Sequence, residues 1–216
     1  MSPRPYRLGQ RRLAADRTRA RIVAAARALL TAEGGLAGFT VDAVARQASV
    51  SRMTVYYQFD SRAGLLDALF DDLAARGGLD QLAVAFGQAD PLQALDALIA
   101  VFCRFWASDR LLHRRLQGLT ALDPEFEQAS REHRRRYGLT VVLQRLAEAT
   151  GRPAPGSLEQ AVDVLHTLTG FHVYDGLAGG ARGPDEVAAL VNGLARAALG
   201  MAAAPAGGPD RPVDVV

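Results

Sequence analysis

Lysine is missing from this chain altogether: all 25 basic residues among its 216 are arginines. We read that as a bias of composition rather than of function. Cysteine occurs once, at Cys103, so no disulfide can close within the chain, which suits a reducing cytoplasm. A lone cysteine on an apolar helix is expected to be buried and inert. Aromatic residues make up only 6%, and no stretch alternates β-branched with polar residues, which argues against a sheet. No apolar run reaches the ~18 residues that would suggest a membrane span, and the amino terminus has no hydrophobic signal segment. A cytoplasmic protein is expected. Enzyme signatures are missing too: no nucleophile elbow, phosphate loop or HExxH motif occurs. His166 and His172 lie six positions apart and would project from different helix faces, not the i,i+4 pair a helical metal site needs. His172 and Asp175 have the spacing of a base and its orienter, but that pairing is commonly structural. Neither an enzyme nor a cofactor or metal is expected.

What is present is a helix-forming composition, 49% apolar and rich in alanine, with ample material for a buried core. An all-α fold of one large or two modest domains follows. The formal net charge of +2 conceals a division. Residues 1–62 hold 11 arginines against Asp16, Glu33, Asp42 and Asp60, a net of +7, whereas residues 63–216 hold 14 arginines against 19 acidic residues, a net of −5. The amino-terminal part is made for a polyanion and the rest is not.

The basic part contains two short helical patterns joined by a tight turn. In the first, Val41, Val44, Ala45 and Ala48 form one apolar face, with Thr40 as N-cap and Asp42 favourably placed in the first turn. Ser49 and Val50 make the turn, and Ser51 caps a second helix running to about Phe59. Such a pair is a helix-turn-helix, whose second helix enters the major groove by its amino-terminal residues. Sorted by reach, Arg52 is suited to guanine O6 and N7, Met53 to a thymine methyl, and Thr54 to base or phosphate. Tyr56, Tyr57 and Gln58 follow within a turn, Val55 and Phe59 point inward, and Arg46 is a further phosphate candidate.

The residues A-S-V-S-R-M-T-V-Y-Y-Q-F-D-S-R-x-x-L resemble the recognition segment of the TetR/AcrR family of transcriptional regulators. The preceding F-T-V-D-A-V-A-R-Q-A and the following L-L-D-A-L-F are similar to the helices on either side, so the resemblance covers roughly residues 17–75. It implies backbone contacts from Thr54, Tyr56, Tyr57 and Arg62. The DNA-binding set is then Thr40, Arg46, Ser51, Arg52, Met53, Thr54, Tyr56, Tyr57, Gln58 and Arg62. Two positions depart from the family: Ser49 stands where glycine is usual, and Gln58 where histidine is common. A serine held at positive φ there would cost about 1 kcal/mol relative to glycine.

The chain divides into a disordered basic arm (1–15), a helix-turn-helix domain (16–62), a larger helical domain (63–201) and a disordered tail (202–216). The arm is placed to follow phosphates or reach a minor groove. A first helix runs from Asp16 or Thr18 to Glu33, and Ser61 caps a fourth from Arg62 to about Arg76. In the larger domain Asp90-Pro91 and Asp123-Pro124 read as helix starts, and Ser157-Leu-Glu-Gln160 as a capping box. The run Arg134-Arg135-Arg136 reads as a solvated helix face, with i,i+4 pairs Glu127–Arg131 and Glu132–Arg136. Gly138 would loosen its helix. A stripe from Leu158 through Leu165 and Thr169 to His172 reads as one helix, and Pro184 starts the last. Small residues there (Ala161, Gly170, Ala188, Ala189, Gly193, Ala195, Ala197) permit close packing. The resemblance implies that the last two helices form a homodimer, placing two heads on a palindromic duplex, and that the body holds a small-molecule cavity. Phe102, Trp106, His113, His133, Tyr137, His166 and His172 can supply aromatic walls and polar contacts to a partly apolar effector. The expected function is a homodimeric repressor released from its DNA operator by that effector. An activator, or a regulator answering to a protein partner, is the alternative.

Overall fold

The computed structural model describes residues 4–122, 129–151 and 156–201. Among them the chain is helical, with no strand. In order, the helices are α1 (Arg4–Thr31), α2 (Gly35–Gly38), α3 (Val41–Gln47), α4 (Arg52–Phe59), α5 (Arg62–Arg76) and α6 (Leu82–Phe86). They continue with α7 (Pro91–Ser108), α8 (Arg110–Leu122), α9 (Ala129–Thr150), α10 (Leu158–Leu168), α11 (Phe171–Ala178) and α12 (Pro184–Ala198). None of the described helices is long and apolar enough to cross a membrane. The chain forms two compact units, one of Met1–Asp80 with Arg104–Ser130, the other of Gln81–Cys103 with Arg131–Val216.

In the first unit α1 is the element on which α2, α3, α5 and α8 pack. Of the apolar face that helical periodicity predicts, Ile22, Val23, Ala26, Leu29 and Leu30, it buries all but Leu29, which is half-buried. Its start is earlier than expected. Residues 4–15, read from the sequence as an arm, continue the helix, and the run Gln-Arg-Arg-Leu-Ala-Ala from Gln10 is made of strong helix formers. The unit also takes in α8, well beyond residue 62. Arg27 of α1 donates to Asp109 through Nε at 3.1 Å and Nη2 at 2.8 Å, a half-buried pair. Asp109 in turn caps α8, accepting from the Leu112 amide at 3.2 Å. Arg115 of α8 reaches back to donate to the Leu30 carbonyl in the last turn of α1 and to the Ala32 carbonyl just beyond it. Gly35 sits beneath this contact, and a Cβ there would run into both the Leu30 carbonyl and the Arg115 guanidinium.

In the second unit α10, α11 and α12 pack together. Asp90 caps α7 through the Leu92 amide at 2.9 Å, and the Ser157/Gln160 capping box opens α10, both as expected. The stripe through His172, however, is not one helix. α10 ends at Leu168; the Thr169 hydroxyl donates to the Leu165 carbonyl at 2.8 Å, and Gly170 in extended conformation starts α11. Phe171 and Tyr174 are buried instead, and His172 is exposed. A regular period across the junction had hidden the break. Gly138 does not loosen α9: it is where Phe86 packs, with Cζ 2.8 Å from where a Cβ would stand. Arg145 on the same helix donates to the Phe86 and Gln88 carbonyls at 2.9 and 2.5 Å, fixing the short segment around α6. The arginine run is only partly a solvated face. Arg134 is exposed, but Arg135 bonds His166 Nε2 at 3.0 Å and Arg136 pairs with Asp163 at 2.5 Å. The Asp123-Pro124 start, the Glu127 and Glu132 pairs and the tail from residue 202 fall outside the described residues or side chains.

His113 is a buried titratable group in the first unit. Its Nε2–H donates to the Phe105 carbonyl at 3.1 Å, and its ring meets those of Phe105 and Trp106 edge-on at 4.7 and 4.9 Å. Burial pushes its pKa down to about 4, against the carbonyl bond and the charge of Asp109, which both raise it. The unfolded chain therefore takes up this proton first. Stability from this group is complete above the unfolded value of about 6.5 and is lost as the pH falls from there toward 4, by about 3 kcal/mol in all. Urea denaturation at about pH 7.5 and about pH 4.5 should show His113→Phe losing less over this interval than the parent protein, by that amount.

Candidate nucleic-acid interface

Helix α4 is set by its two ends. At its start the Ser51 hydroxyl accepts from the Thr54 amide at 3.1 Å and lies 2.8 Å from the Thr54 hydroxyl. The preceding helix is capped likewise, Thr40 accepting from the Ala43 amide at 3.1 Å. Between them the chain reverses through Ser49 at φ 52°. The Val50 amide donates to the Ala45 carbonyl at 2.9 Å and the Ser49 amide to Arg46 at 3.1 Å, the paired bonds of a Schellman motif. At the far end Asp60 adopts φ 62°, the Ser61 amide donates to the Phe59 carbonyl at 2.6 Å, and Ser61 then caps α5 through the Gly64 amide at 2.9 Å. Val44, Val55 and Phe59 are buried beneath.

On the outer side stand the residues that the sequence assigned to DNA. Met53 is 74% exposed and Tyr57 86%, too much for core side chains, so both are available to a groove. Arg46 and Arg52 are exposed, and Thr54, Tyr56 and Gln58 are half-buried. Arg52 does not extend alone. Its Nη1 donates to Asp42 Oδ2 at 3.1 Å and its Nη2 to the Tyr56 hydroxyl at 3.2 Å. The Tyr56 bond first, then the Asp42 charge, favours its protonated form. Arg62 lies half-buried with its guanidinium 5.7 Å from the Phe39 ring centroid, a cation over an aromatic face inside the head.

One functional residue escaped the sequence reading. Arg19 of α1 donates to the Gln58 carbonyl at 2.6 Å and covers the Phe59 ring at 4.3 Å. It closes the carboxyl end of α4 by occupying a carbonyl of the last turn, where helical partners run out. Nothing in the sequence separates it from the other arginines of a basic segment, because its partner lies in another helix.

The residues proposed for an effector are placed unequally. Trp106 and His113 sit with Phe105 in the buried aromatic group of the first unit. In the second, Arg135 lies 5.9 Å from the Phe102 ring and bonds His166. His133, Tyr137 and His172 are exposed. Cys103 is buried.

A capped and buttressed helix-turn-helix in a basic segment is the arrangement by which such motifs present a helix to duplex DNA. The sequence model of the bacterial regulatory proteins of the tetR family matches residues 22–69, from the buried Ile22 of α1 to Leu69 of α5. Residues 22–69 are thus similar to the DNA-binding region of that family, and the all-helical fold is similar to those of its solved structures. Similar solved structures include NalD of Pseudomonas aeruginosa, the secondary repressor of the MexAB-OprM multidrug efflux pump. It is 22% identical, with a TM-score of 0.64 over 86% of this chain and 97% of that one. A TetR transcription regulator of Haloarcula marismortui is 18% identical, with a TM-score of 0.63 over 86% and 97%. A TetR-like regulator of Rhodococcus sp. is 22% identical, with a TM-score of 0.60 over 83% and 94%. No curated protein matches the chain.

Ser49 gives a test of the turn. Replacing it by glycine removes the side-chain clash of positive φ, offset in part by greater freedom of the unfolded chain, and should stabilise the protein by about 0.5–1 kcal/mol. Chemical denaturation should show this gain, whereas Ser49→Val should lose more than it gains.

Proposed function

We propose that the protein is a homodimeric, sequence-specific DNA-binding regulator that represses transcription and is released from its operator by a small, partly apolar effector. It acts by binding rather than by catalysis, in the cytoplasm. The observation that carries this reading is the outer face of α4. Arg52, Met53 and Tyr57 stand exposed on a helix held at both ends, in a region matched by a family of regulators. The roles follow from chemistry. Arg52 donates to a guanine edge and Met53 lies against a thymine methyl. Ser51, Thr54, Tyr56, Tyr57 and Gln58, with Thr40 and Arg46, engage phosphates and fix the register. Arg62 serves through its packing on Phe39 as well as through its charge.

Dimerisation is supported by α12 and its neighbour α10. Val187, Ala188, Val191 and Ala195 of α12 are buried within the chain, but Ala189, Leu190, Gly193, Leu194 and Ala197 form a second, exposed stripe. Leu190 is 43% and Leu194 47% exposed, and Val164 of α10 is 43% exposed. Gly193 has open space where a Cβ would stand, so another backbone can approach closely. A two-fold copy would cover this stripe and set two reading helices about one turn of duplex apart, roughly 34–36 Å, on a palindromic site. For the effector, Phe102 and His166, linked through Arg135, supply an aromatic wall and polar contacts. His133, Tyr137 and His172 are further, exposed candidates in the second unit, and Trp106 and His113 form a separate buried candidate group in the first.

Two experiments test this reading. In a gel-shift panel of duplex variants, Arg52→Ala should lose about 1–3 kcal/mol of discrimination at particular base pairs, whereas Tyr57→Phe should weaken all duplexes alike. A panel in which both variants behave the same would remove the division of roles. Leu194→Asp should convert the dimer to a monomer in sedimentation and weaken binding to a palindromic duplex far more than to a half-site. A dimer that survives it overturns the interface.

A further inference from the structure

We propose that Asp42 determines specificity as a positioning residue, holding Arg52 in the arrangement from which it reads a base. The inference rests on the base-reading role given to Arg52 above. Three side chains from the two helices of the motif meet here. Asp42 lies in the first turn of α3, Arg52 is the first residue of α4, and Tyr56 stands one turn further along it. Asp42 takes one terminal nitrogen of Arg52 at 3.1 Å and the Tyr56 hydroxyl takes the other at 3.2 Å, with the guanidinium 5.5 Å from the Tyr56 ring centroid.

The pair is a surface feature, with Arg52 57% and Asp42 52% exposed, so it contributes little to folding. Its consequence is for the arginine. A lone arginine at the edge of a groove swings readily between base edges and the phosphates on either side. Two anchors on its two terminal nitrogens restrict that motion, and of its five N–H donors only two are used, leaving others for guanine O6 and N7. A carboxylate beside the reading group also repels phosphate. An Arg52 that turns to the backbone must leave its counter-charge behind, so binding without the right base is disfavoured. Selectivity by such rejection is a difference between two affinities, not a gain in one.

The experiment uses the full-length protein and two probes. One is a duplex recovered from a randomised pool by repeated selection with the parent protein, and the other is the unselected pool. Asp42→Ala should lower the ratio of the two affinities about tenfold, weakening the selected duplex and tightening the pool. The salt dependence of pool binding should steepen by about 0.9 in log–log slope, as Arg52 gains a phosphate. In an Arg52→Ala background the same substitution should leave the ratio unchanged. Circular dichroism checks the fold, and Asp42→Ser serves as a second variant should the alanine variant not fold. Equal tightening of both probes would reduce Asp42 to a distant charge and overturn the proposal, as would an unchanged ratio. If Arg52→Ala itself leaves the ratio intact, the base-reading role falls and this proposal with it. If Arg52→Ala lowers the ratio and Asp42→Ala does not, only the positioning role falls.

Discussion

The chain reversal between α3 and α4 is the constraint on which the amino-terminal head depends. A reading helix of eight residues is too short to hold its own conformation in water, since nucleation alone outweighs its few internal bonds. It persists because its entry is specified residue by residue. The Ser49 and Val50 amides close the preceding helix, and the Ser51 hydroxyl opens the next. The same amide pattern ends α12, where Gly200 takes the positive-φ position at 68° without strain. In the head a serine stands there at 52°, so part of the folding free energy holds a local conformation that glycine would adopt more easily. The buried side chains of Val44, Val55 and Phe59 over-determine the turn and make that cost bearable.

How much of this was legible in the sequence follows the range of each interaction. Caps at Thr40, Ser51, Ser61 and Ser157 were readable because donor and acceptor lie within three residues, and chain order fixes their geometry. The Ser49 turn was readable because a tight reversal between two helical periods leaves few conformations. Arginine partners were not. Arg19, Arg27, Arg115 and Arg145 each satisfy a group far away in the chain, and a periodicity argument carries no information about which helix faces which. The break at Thr169-Gly170 was missed for a different reason. Apolar spacing continued across it, and a glycine costing about 1 kcal/mol does not by itself separate a break from a tolerated interior position.

The charge division needs the same distinction between presence and use. A net of +7 over residues 1–62 suggests a surface of equivalent cations, but the arginines are employed differently. Arg19 binds a carbonyl and covers the Phe59 ring, and Arg62 lies over the Phe39 ring, so both help to build the head. Arg27 and Arg52 have carboxylate partners in Asp109 and Asp42. The first pair is half-buried and joins two helices, and the second lies on the surface within the motif itself. Counting arginines therefore overstates the local attraction for phosphate where these pairs sit. It also understates the order imposed on the guanidinium of Arg52, because a planar fork held at two nitrogens loses orientations that a solvated one retains.

The last helix carries two apolar arcs in one stretch. Val187, Val191 and Ala195 are spaced to face the interior, and Leu190, Gly193, Leu194 and Ala197 fall on the remaining arc at the same helical period. A helix apolar on one side only would leave the second arc to charged residues; here Asp185 and Glu186 are confined to the first turn, where they also favour the dipole, and Arg196 pairs with Asp96 at 2.5 Å. Exposed leucines separated by glycine and alanine form a shallow ridge rather than a flat wall, and a copy of the same ridge is its simplest complement under two-fold symmetry. On the function proposed, the same fold must hold two heads at a fixed separation and permit that separation to change. On that proposal, the buried stripe would keep each protomer intact while the exposed stripe of small residues on the same helix formed the contact between copies.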